Sequence, residues 1–390
     1  MNKHQSVYVN TIFLLLVFGL GLASLLHPSS ERSETENRPL QQMPALTWES
    51  LFSGQFSEDY EEYLSDQFIL RDQWITMKTD VERLCLKQDS NDVYFAADDY
   101  LIEKHSDVFA QDTAQQNIQR LAGFMQQMSE RYDQDHLSCI IVPNAVDVLA
   151  DKLPPFADPY DEEIYLEKIR SVLPQGVWVD ASKILKDAYA KSKEAPDQAG
   201  NELYYRTDHH WKSASAMDVF AAWIAQKHIG EVVPGQFTVS EVSDTFEGTI
   251  ASRLGIRGRA DSIERYDPAE PFDYYLIYNR SDDVRNSVYH EASLDTRDQY
   301  AYFYGGNYGL IEAKMPDAHT GRSLLVIKDS YAHCFTPLTY GYFDKVDMLD
   351  PRYFNESILQ RIEEEEYTDI LFLFNAAGFA EETSIARLLA

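Results

Sequence analysis

The sequence predicts an α/β protein: a parallel sheet with helices on both faces, interrupted by a mainly β insertion. Three observations lead there. Short uncharged runs such as "LSCIIV" (Leu137–Val142), "LLVI" (Leu324–Ile327) and "ILFLF" (Ile370–Phe374) read as strands buried on both sides. Stretches of helical period lie between most of them, as crossover connections require. From roughly Gly230 to Thr320 the texture shifts to two-residue alternation, as in "FDYYLIYNR" and "QYAYFYGG".

The first element is apolar. Val7 to Leu26 carries no charge, and its centre reads "IFLLLVFGLGLASLL", about the length that crosses the hydrocarbon core as a helix. Lys3 precedes it, and Glu31 and Glu34 flank Arg32 beyond it, which favours the N-terminus inside. A cleaved signal peptide is the alternative, although the small-residue pattern near Ala23 and Ser24 is poor. Residues 1–27 are therefore expected to be a membrane anchor or signal segment, which puts the rest of the chain outside the cytoplasm.

Residues 28–46 ("PSSERSETENRPLQQMPAL") have the composition of a linker. "GQFSEDYEEYLSDQFILRDQWITMKTDVERL" then repeats apolar residues every three or four positions, so residues 28–90 read as linker plus helical juxtamembrane region. "DVYFAADDYLIEK" predicts a hairpin around Ala96–Asp99, followed by a helix from Thr113 to about Tyr132 and the strand at Leu137. "GVWVD" (Gly176–Asp180) reads as a further strand, with a helix near Ser182–Lys193. Residues 91–211 thus form the first part of the α/β domain. "SASAMDVFAAWIAQKHI" is an amphipathic helix that opens a helix and β-rich insertion over 212–320. The parallel sheet resumes over 321–390 with "SLLVIKDS", "KVDMLD" and "DILFLFNA", and Asn355 is the expected N-cap of the helix in "NESILQRIEEEEY". The acidic run Glu363–Glu366 reads as a solvated helix face.

Composition narrows the function. Hydrophobic residues make up 44% and aromatics 13%, enough for a large core. A formal net charge of -30 argues against nucleic acid, because phosphate binding needs clustered Lys and Arg. The three cysteines (Cys85, Cys139, Cys334) show no metal-ligand spacing, and Cys139 sits in an apolar run that reads as core.

The chemistry concentrates in "YYRTDHHW", Tyr204 to Trp211. Asp208-His209-His210 has three readings: a polar surface loop, a metal site, or the acid and base of a catalytic set. A metal site needs more Asp, Glu or His ligands at suitable spacing, and the paired aspartates of Asp-His-His phosphoesterases do not precede residue 204. A catalytic set needs a nucleophile. Ser330 follows the strand Leu324–Ile327, and so would stand at the sheet edge where open α/β folds place their sites. A helix after it would aim backbone N–H groups at an oxyanion, although Ser330 as a mere helix cap is equally open. Asn375 ends another strand and Asn144 follows "CIIV". With Tyr331 they are the candidate oxyanion or substrate-binding residues. A serine hydroxyl needs a base within reach, which His210 would supply while Asp208 orients it. Trp211 reads as a core anchor for the loop rather than a wall for the imidazole.

These residues resemble a family. "TDHHW" followed much later by "KDSYA" resembles the DHHW family, which is similar to the SGNH-hydrolase-like domains of alginate O-acetyltransferases. The stretches "ENRPLQQMP", "DQFILRDQW" and "YGGN" share its habit, so the resemblance spans nearly the whole chain. It implies an SGNH-like, flavodoxin-like sheet, and against ordinary SGNH hydrolases the order of elements reads as circularly permuted. Carried over by position, Asp208 matches the triad acid, His210 the base, Ser330 the nucleophile and Asn375 the oxyanion asparagine. Lys328 stands where the family's serine block has glycine, and no second motif surrounds Asn375.

The resemblance implies an exported serine-dependent acyltransferase that O-acetylates an extracellular or cell-wall polysaccharide. A membrane-bound O-acyltransferase would donate the acetyl group, and neither metal nor cofactor is called for. A carbohydrate esterase with the same triad, or a non-catalytic glycan-binding assembly subunit, are the alternatives.

Overall fold

The computed structural model describes residues 3–33, 38–194 and 202–389, in two compact units. Glu36 and Asn37 of the "ENRP" stretch lie outside the described residues. The first unit comprises residues 1–87 and 251–257. It opens with α1 (Lys3–Leu26), whose span Val7–Leu26 is long and apolar enough to cross a membrane. A short ladder pairs β1 (Arg32–Ser33) with β2 (Arg38–Pro39). The long helical pattern then divides into α2 (Trp48–Ser53), α3 (Gln55–Asp66) and α4 (Arg71–Leu84). Gly54 makes the first break by adopting φ +86, which a Cβ disfavours. Asp66 closes α3 from inside: the Arg38 guanidinium donates to both its oxygens, at 2.5 and 2.9 Å, and Gln41 N–H adds a third bond.

The second unit begins with a small antiparallel sheet of β3 (Asp89–Ser90), β4 (Val93–Phe95) and β5 (Leu101–Glu103), the expected hairpin turning at Ala97–Asp99. Next come α5 (Asp112–Met128), β6 (Leu137–Val142), the single turn α6 (Ala145–Val148), α7 (Glu162–Val172), α8 (Ala181–Ser192) and α9 (Ser213–Gln226). β7 (Phe237–Phe246) and β8 (Asp261–Pro268) form a separate two-stranded ribbon, with α10 (Thr249–Leu254) between them in sequence. The remaining elements are β9 (Tyr275–Tyr278), β10 (Val284–Arg285), β11 (Leu310–Lys314), β12 (Ser323–Lys328), α11 (Ala332–Phe335), β13 (Lys345–Leu349), α12 (Ile358–Glu365), β14 (Asp369–Asn375) and α13 (Ala376–Glu381).

One sheet organises this unit, in the order β10-β9-β11-β13-β12-β14-β6. β13, β12, β14 and β6 are parallel, whereas β11 runs antiparallel to both its neighbours. The sheet is therefore mixed, not parallel throughout: β9 to β11 come from the segment expected to be an insertion, yet they extend the main sheet. Both faces of the parallel strands are covered. Leu324 and Val326 of β12, with Leu371 and Leu373 of β14, pack on the side of α8 and α9. Leu325 and Ile327, with Phe372 and Phe374, pack on the side of α5, α7 and α12. Alternate residues thus feed two cores, which is why these strands are apolar at nearly every position.

Three local expectations are corrected. "GVWVD" makes only a bridge to the sheet at Trp178, with Cys139 N–H donating to Val177 and Val179 N–H to Cys139. "QYAYFYGG" coils into a 3₁₀ turn at Gln299–Tyr302. The N-cap of α12 is Ser357, whose Oγ accepts the Gln360 N–H, while Asn355 accepts from Arg387. All three cysteines are free, and Cys139 is buried in the core as expected.

Candidate active site

Strand register brings three of the sequence candidates to one edge. Lys328 of β12 pairs with Leu373 of β14, so Ser330 and Asn375, each two residues on, reach the same level. Asn375 in turn pairs with Val142 of β6, two residues before Asn144. The carboxyl ends of three neighbouring strands therefore present Ser330, Asn375 and Asn144 side by side. Ser330 is half-buried between Asp329 and Tyr331, which are both buried.

His210 arrives from a loop that the chain folds tightly. Tyr204 and Trp211 form an antiparallel bridge, and Tyr205 N–H donates to the His210 carbonyl inside it. Buried Asp261 collects the N–H groups of Arg206 and Thr207, both at 2.9 Å, and the Thr207 hydroxyl at 2.6 Å. Thr207 then accepts the Gly248 N–H. Gly248 has no room for a side chain, since a Cβ there would stand 2.3 Å from that of Asp208. Trp211 is fully buried, and its indole N–H donates to the Tyr331 carbonyl at 2.9 Å. It is a core anchor, and one that ties the loop to the serine turn. The Tyr331 hydroxyl makes a second tie, to the His209 carbonyl.

The result is a continuous chain of polar contacts. Ser330 Oγ lies 2.8 Å from His210 Nε2, and His210 Nδ1 lies 2.6 Å from Asp208 Oδ1. Asp208 Oδ2 accepts both the N–H and the hydroxyl of Thr249, at 2.8 and 2.9 Å. An ionised Asp208 requires the proton on Nδ1, which leaves the Nε2 lone pair facing the serine hydroxyl. The Tyr300 ring stacks flat on the imidazole, with centroids 3.8 Å apart.

Electrostatics favour that protonation state. Burial, then the neighbouring His209, push the His210 pKa down to about 4, against the opposing pull of Asp208, so the ring is neutral at pH 7. Burial acts to raise the Asp208 pKa, but the two histidines and the Thr249 N–H outweigh it and hold the carboxyl well below its ordinary range. His209 is more exposed and spends Nδ1 on the Thr249 hydroxyl. Asp208, His209 and His210 have potential ligand atoms within 4.8 Å of one another. A metal ion there would compete with Ser330 for His210 and with Thr249 for Asp208.

The other candidates stand differently. Asn375 Nδ2 donates to Asp329 Oδ2, and its Oδ1 accepts the Gly378 N–H and the Asn144 amide. Asn144 Oδ1 accepts the Ala377 N–H. The expected helix after Ser330 is one turn long, and its first N–H groups are engaged: Tyr331 donates to Asp329 Oδ1, Ala332 to the Asp329 carbonyl and His333 to the Ser330 carbonyl. Among the described residues, the N–H of Ser330 itself makes no hydrogen bond. Lys328 turns away from the serine into a buried cluster, with Nζ 2.8 Å from His333 Nε2 and 3.1 Å from Asp350 Oδ2. Thr249, Asp261 and Tyr300 were invisible to sequence reading: each comes from the β-rich segment, and no local pattern marks them.

Comparison with known proteins agrees with the resemblance. The family model described as "DHHW protein" matches residues 193–349. A DHHW family protein from Eubacterium siraeum superposes with a TM-score of 0.58 at 19% identity, covering 76% of this chain and 94% of that one. Bacillus cereus PatB1 superposes with a TM-score of 0.59 at 20% identity, over 74% of this chain and 97% of its own. PatB1 with a sulfonyl adduct gives 0.58 at 18%, over 76% and 99%. These likenesses are likenesses of fold. No curated protein matches the chain.

Proposed function

We propose that Ser330, His210 and Asp208 are the nucleophile, base and acid of an exported acyltransferase that O-acetylates an extracellular or cell-wall polysaccharide. The observation that carries this reading is the unbroken run from the half-buried Ser330 hydroxyl through His210 to Asp208, at 2.8 and 2.6 Å. As the Ser330 oxygen attacks the acyl carbonyl of the donor, its proton passes to Nε2. Asp208 stabilises the imidazolium, which then protonates the leaving group. The acyl-serine is resolved when a glycan hydroxyl gives its proton to Nε2 and attacks the acyl carbon; the bond to Ser330 Oγ breaks, and Nε2 returns the proton to that oxygen. The unengaged Ser330 N–H is the first oxyanion donor. Asn375 and Asn144 act on the site through Asp329 and α13, and Tyr331 acts by holding the His209 carbonyl. The chemistry asks for no metal or cofactor.

The fold is read as SGNH-like and circularly permuted. Residues 91–211 and 321–390 are its two parts, with 212–320 between them, and 1–27 and 28–90 are the anchor and the juxtamembrane region. A membrane acyltransferase is the proposed acetyl donor.

The test uses a sulfonyl fluoride, since PatB1 is seen with a sulfonyl adduct, together with glycan oligomers and an acetyl donor. Mass spectrometry should find the sulfonyl group on Ser330 and acetyl on the oligomers, and neither with Ser330→Ala. Acetate release that no oligomer diverts would favour the esterase. Labelling and turnover both absent would favour the assembly subunit.

A further inference from the structure

Ser24 lies in the last turn of α1, two residues before the apolar run ends at Leu26. Its hydroxyl accepts the N–H of Ile69, at 3.2 Å, in the turn that joins α3 to α4. The chain leaving α1 stays with that turn. Ser30 N–H donates to Gln67 Oε1 at 2.8 Å, and Gln67 Nε2 returns bonds to the Ser30 and Gln41 carbonyls. Within the expected linker, Ser30 and Gln41 are thus bonded to the turn.

The exposed side chains of the turn itself, Phe68 and Leu70, are apolar, at 37% and 56%, and Leu64 of α3 (42%) precedes them beside the exposed Ser65. Leu70 holds a left-handed φ of +58, which a residue with a Cβ adopts at a cost. Asp66, at the end of α3, is buried and paired with Arg38, and Asp72 in the first turn of α4 is partly exposed with Arg71 3.6 Å away.

We propose that the α3–α4 corner rests in the lipid interface, the partner being the bilayer surface and the contact apolar. This goes beyond the acyl-transfer reading and rests only on α1 being a membrane span. At a rise of about 1.5 Å per residue, Ser24 sits about 3 Å inside the end of the apolar run. A turn bonded to it lies where hydrocarbon gives way to headgroups. A backbone N–H at that depth needs an internal partner, and the Ser24 hydroxyl supplies one to Ile69. Phe68 and Leu70 then continue the apolar surface of α1 sideways into the interface. The first unit is held against the bilayer instead of at the end of a loose tether.

The experiment uses the full chain, with Cys85→Ser, in phosphatidylcholine nanodiscs containing doxyl-labelled lipid. An environment-sensitive fluorophore is placed on Phe68→Cys, Leu70→Cys, Leu22→Cys in α1, or Glu58→Cys in the first turn of α3. Quenching at 68 and 70 should approach that at 22 and be several times that at 58. Quenching at 68 and 70 no greater than at 58 overturns the proposal. An unquenched label at 22 overturns it through its premise, while sulfonyl labelling of Ser330 in the same sample shows separately whether the acyl-transfer reading stands. Shielding of 68 and 70 that appears in native membranes but not in protein-free lipid assigns the corner to a protein partner, and also overturns it.

Discussion

Two buried histidines flank the Ser330 turn, and the Tyr300 ring stacks nearly parallel to both, at 3.8 Å from His210 and 6.4 Å from His333. Each belongs to a charged cluster containing an aspartate. His210 is open: Asp208 fixes Nδ1, and Nε2 faces a half-buried hydroxyl. His333 is closed: its Nε2 accepts a hydrogen bond from Lys328 Nζ, and the Lys328 charge is met by Asp350, which the Arg352 guanidinium holds at 2.8 and 2.7 Å. Burial, then the charge of Lys328, drive the His333 pKa far down. Having an acid nearby therefore does not make a histidine a base. A lone pair left over and aimed at a reactive group does.

Breaking the open cluster should have the largest effect. Asp208→Asn keeps the shape but lets the ring adopt the wrong tautomer, so turnover of an aryl acetate should fall by about 10⁴-fold. Retained activity would mean that Ser330 is activated by something else. Breaking the closed cluster should affect stability first. Lys328→Met leaves His333 and Asp350 short of a buried partner, at a cost of roughly 3 kcal/mol, read from urea denaturation. Turnover per folded molecule should change far less than in Asp208→Asn.

The pH profile sharpens the contrast without a mutation. The base works only when neutral, so activity is lost as pH falls through its pKa. With His210 at about 4, kcat/KM should stay nearly flat from pH 7 to 5. An ordinary histidine at about 6.5 would lose about 25-fold over that interval. The smallest effect is expected at His209→Ala, which removes a ring that touches Thr249 and lies against His210 but leaves the Ser330 contact in place. A loss within about fivefold is expected, since Asp208 keeps its bonds to Thr249 and His210 when this half-buried ring is removed. A loss equal to that of His210→Ala, restored by added divalent metal, would favour the metal reading instead.

Much of this site was legible in sequence because its chemistry is carried by residue types in short, dense motifs. Asp208 and His210 are two residues apart, and Ser330 and Asn375 end strands whose apolar runs announce them. What supports those residues was not legible. Thr249, Asp261 and Tyr300 are common residue types in a segment whose alternation suggested only β structure. Asn375 looked like an oxyanion donor because a strand end displays its side chain. In the fold one Nδ2 hydrogen goes to Asp329 and Oδ1 caps α13, partners that only tertiary structure supplies. The same kind of surprise altered the sheet, where β11 joined as an antiparallel neighbour of β13 and carried β9 and β10 with it, rather than the three forming a body of their own.

Periodicity and composition determined the α/β character, the apolar first helix and the buried strands, and local motifs together with a family resemblance singled out the acid, base and nucleophile proposed here. These are properties of residues near one another in the chain, where hydrophobic spacing and side-chain chemistry act directly. Tertiary structure decided which lone pair faces Ser330, which histidine is sealed by Lys328, and which residues brace Asp208. Those outcomes depend on contacts across 120 residues between Ser330 and His210, and across 41 between Thr249 and Asp208. Only packing, which buries a charge or leaves it open, distinguishes two histidines that each lie within four residues of an aspartate in the chain.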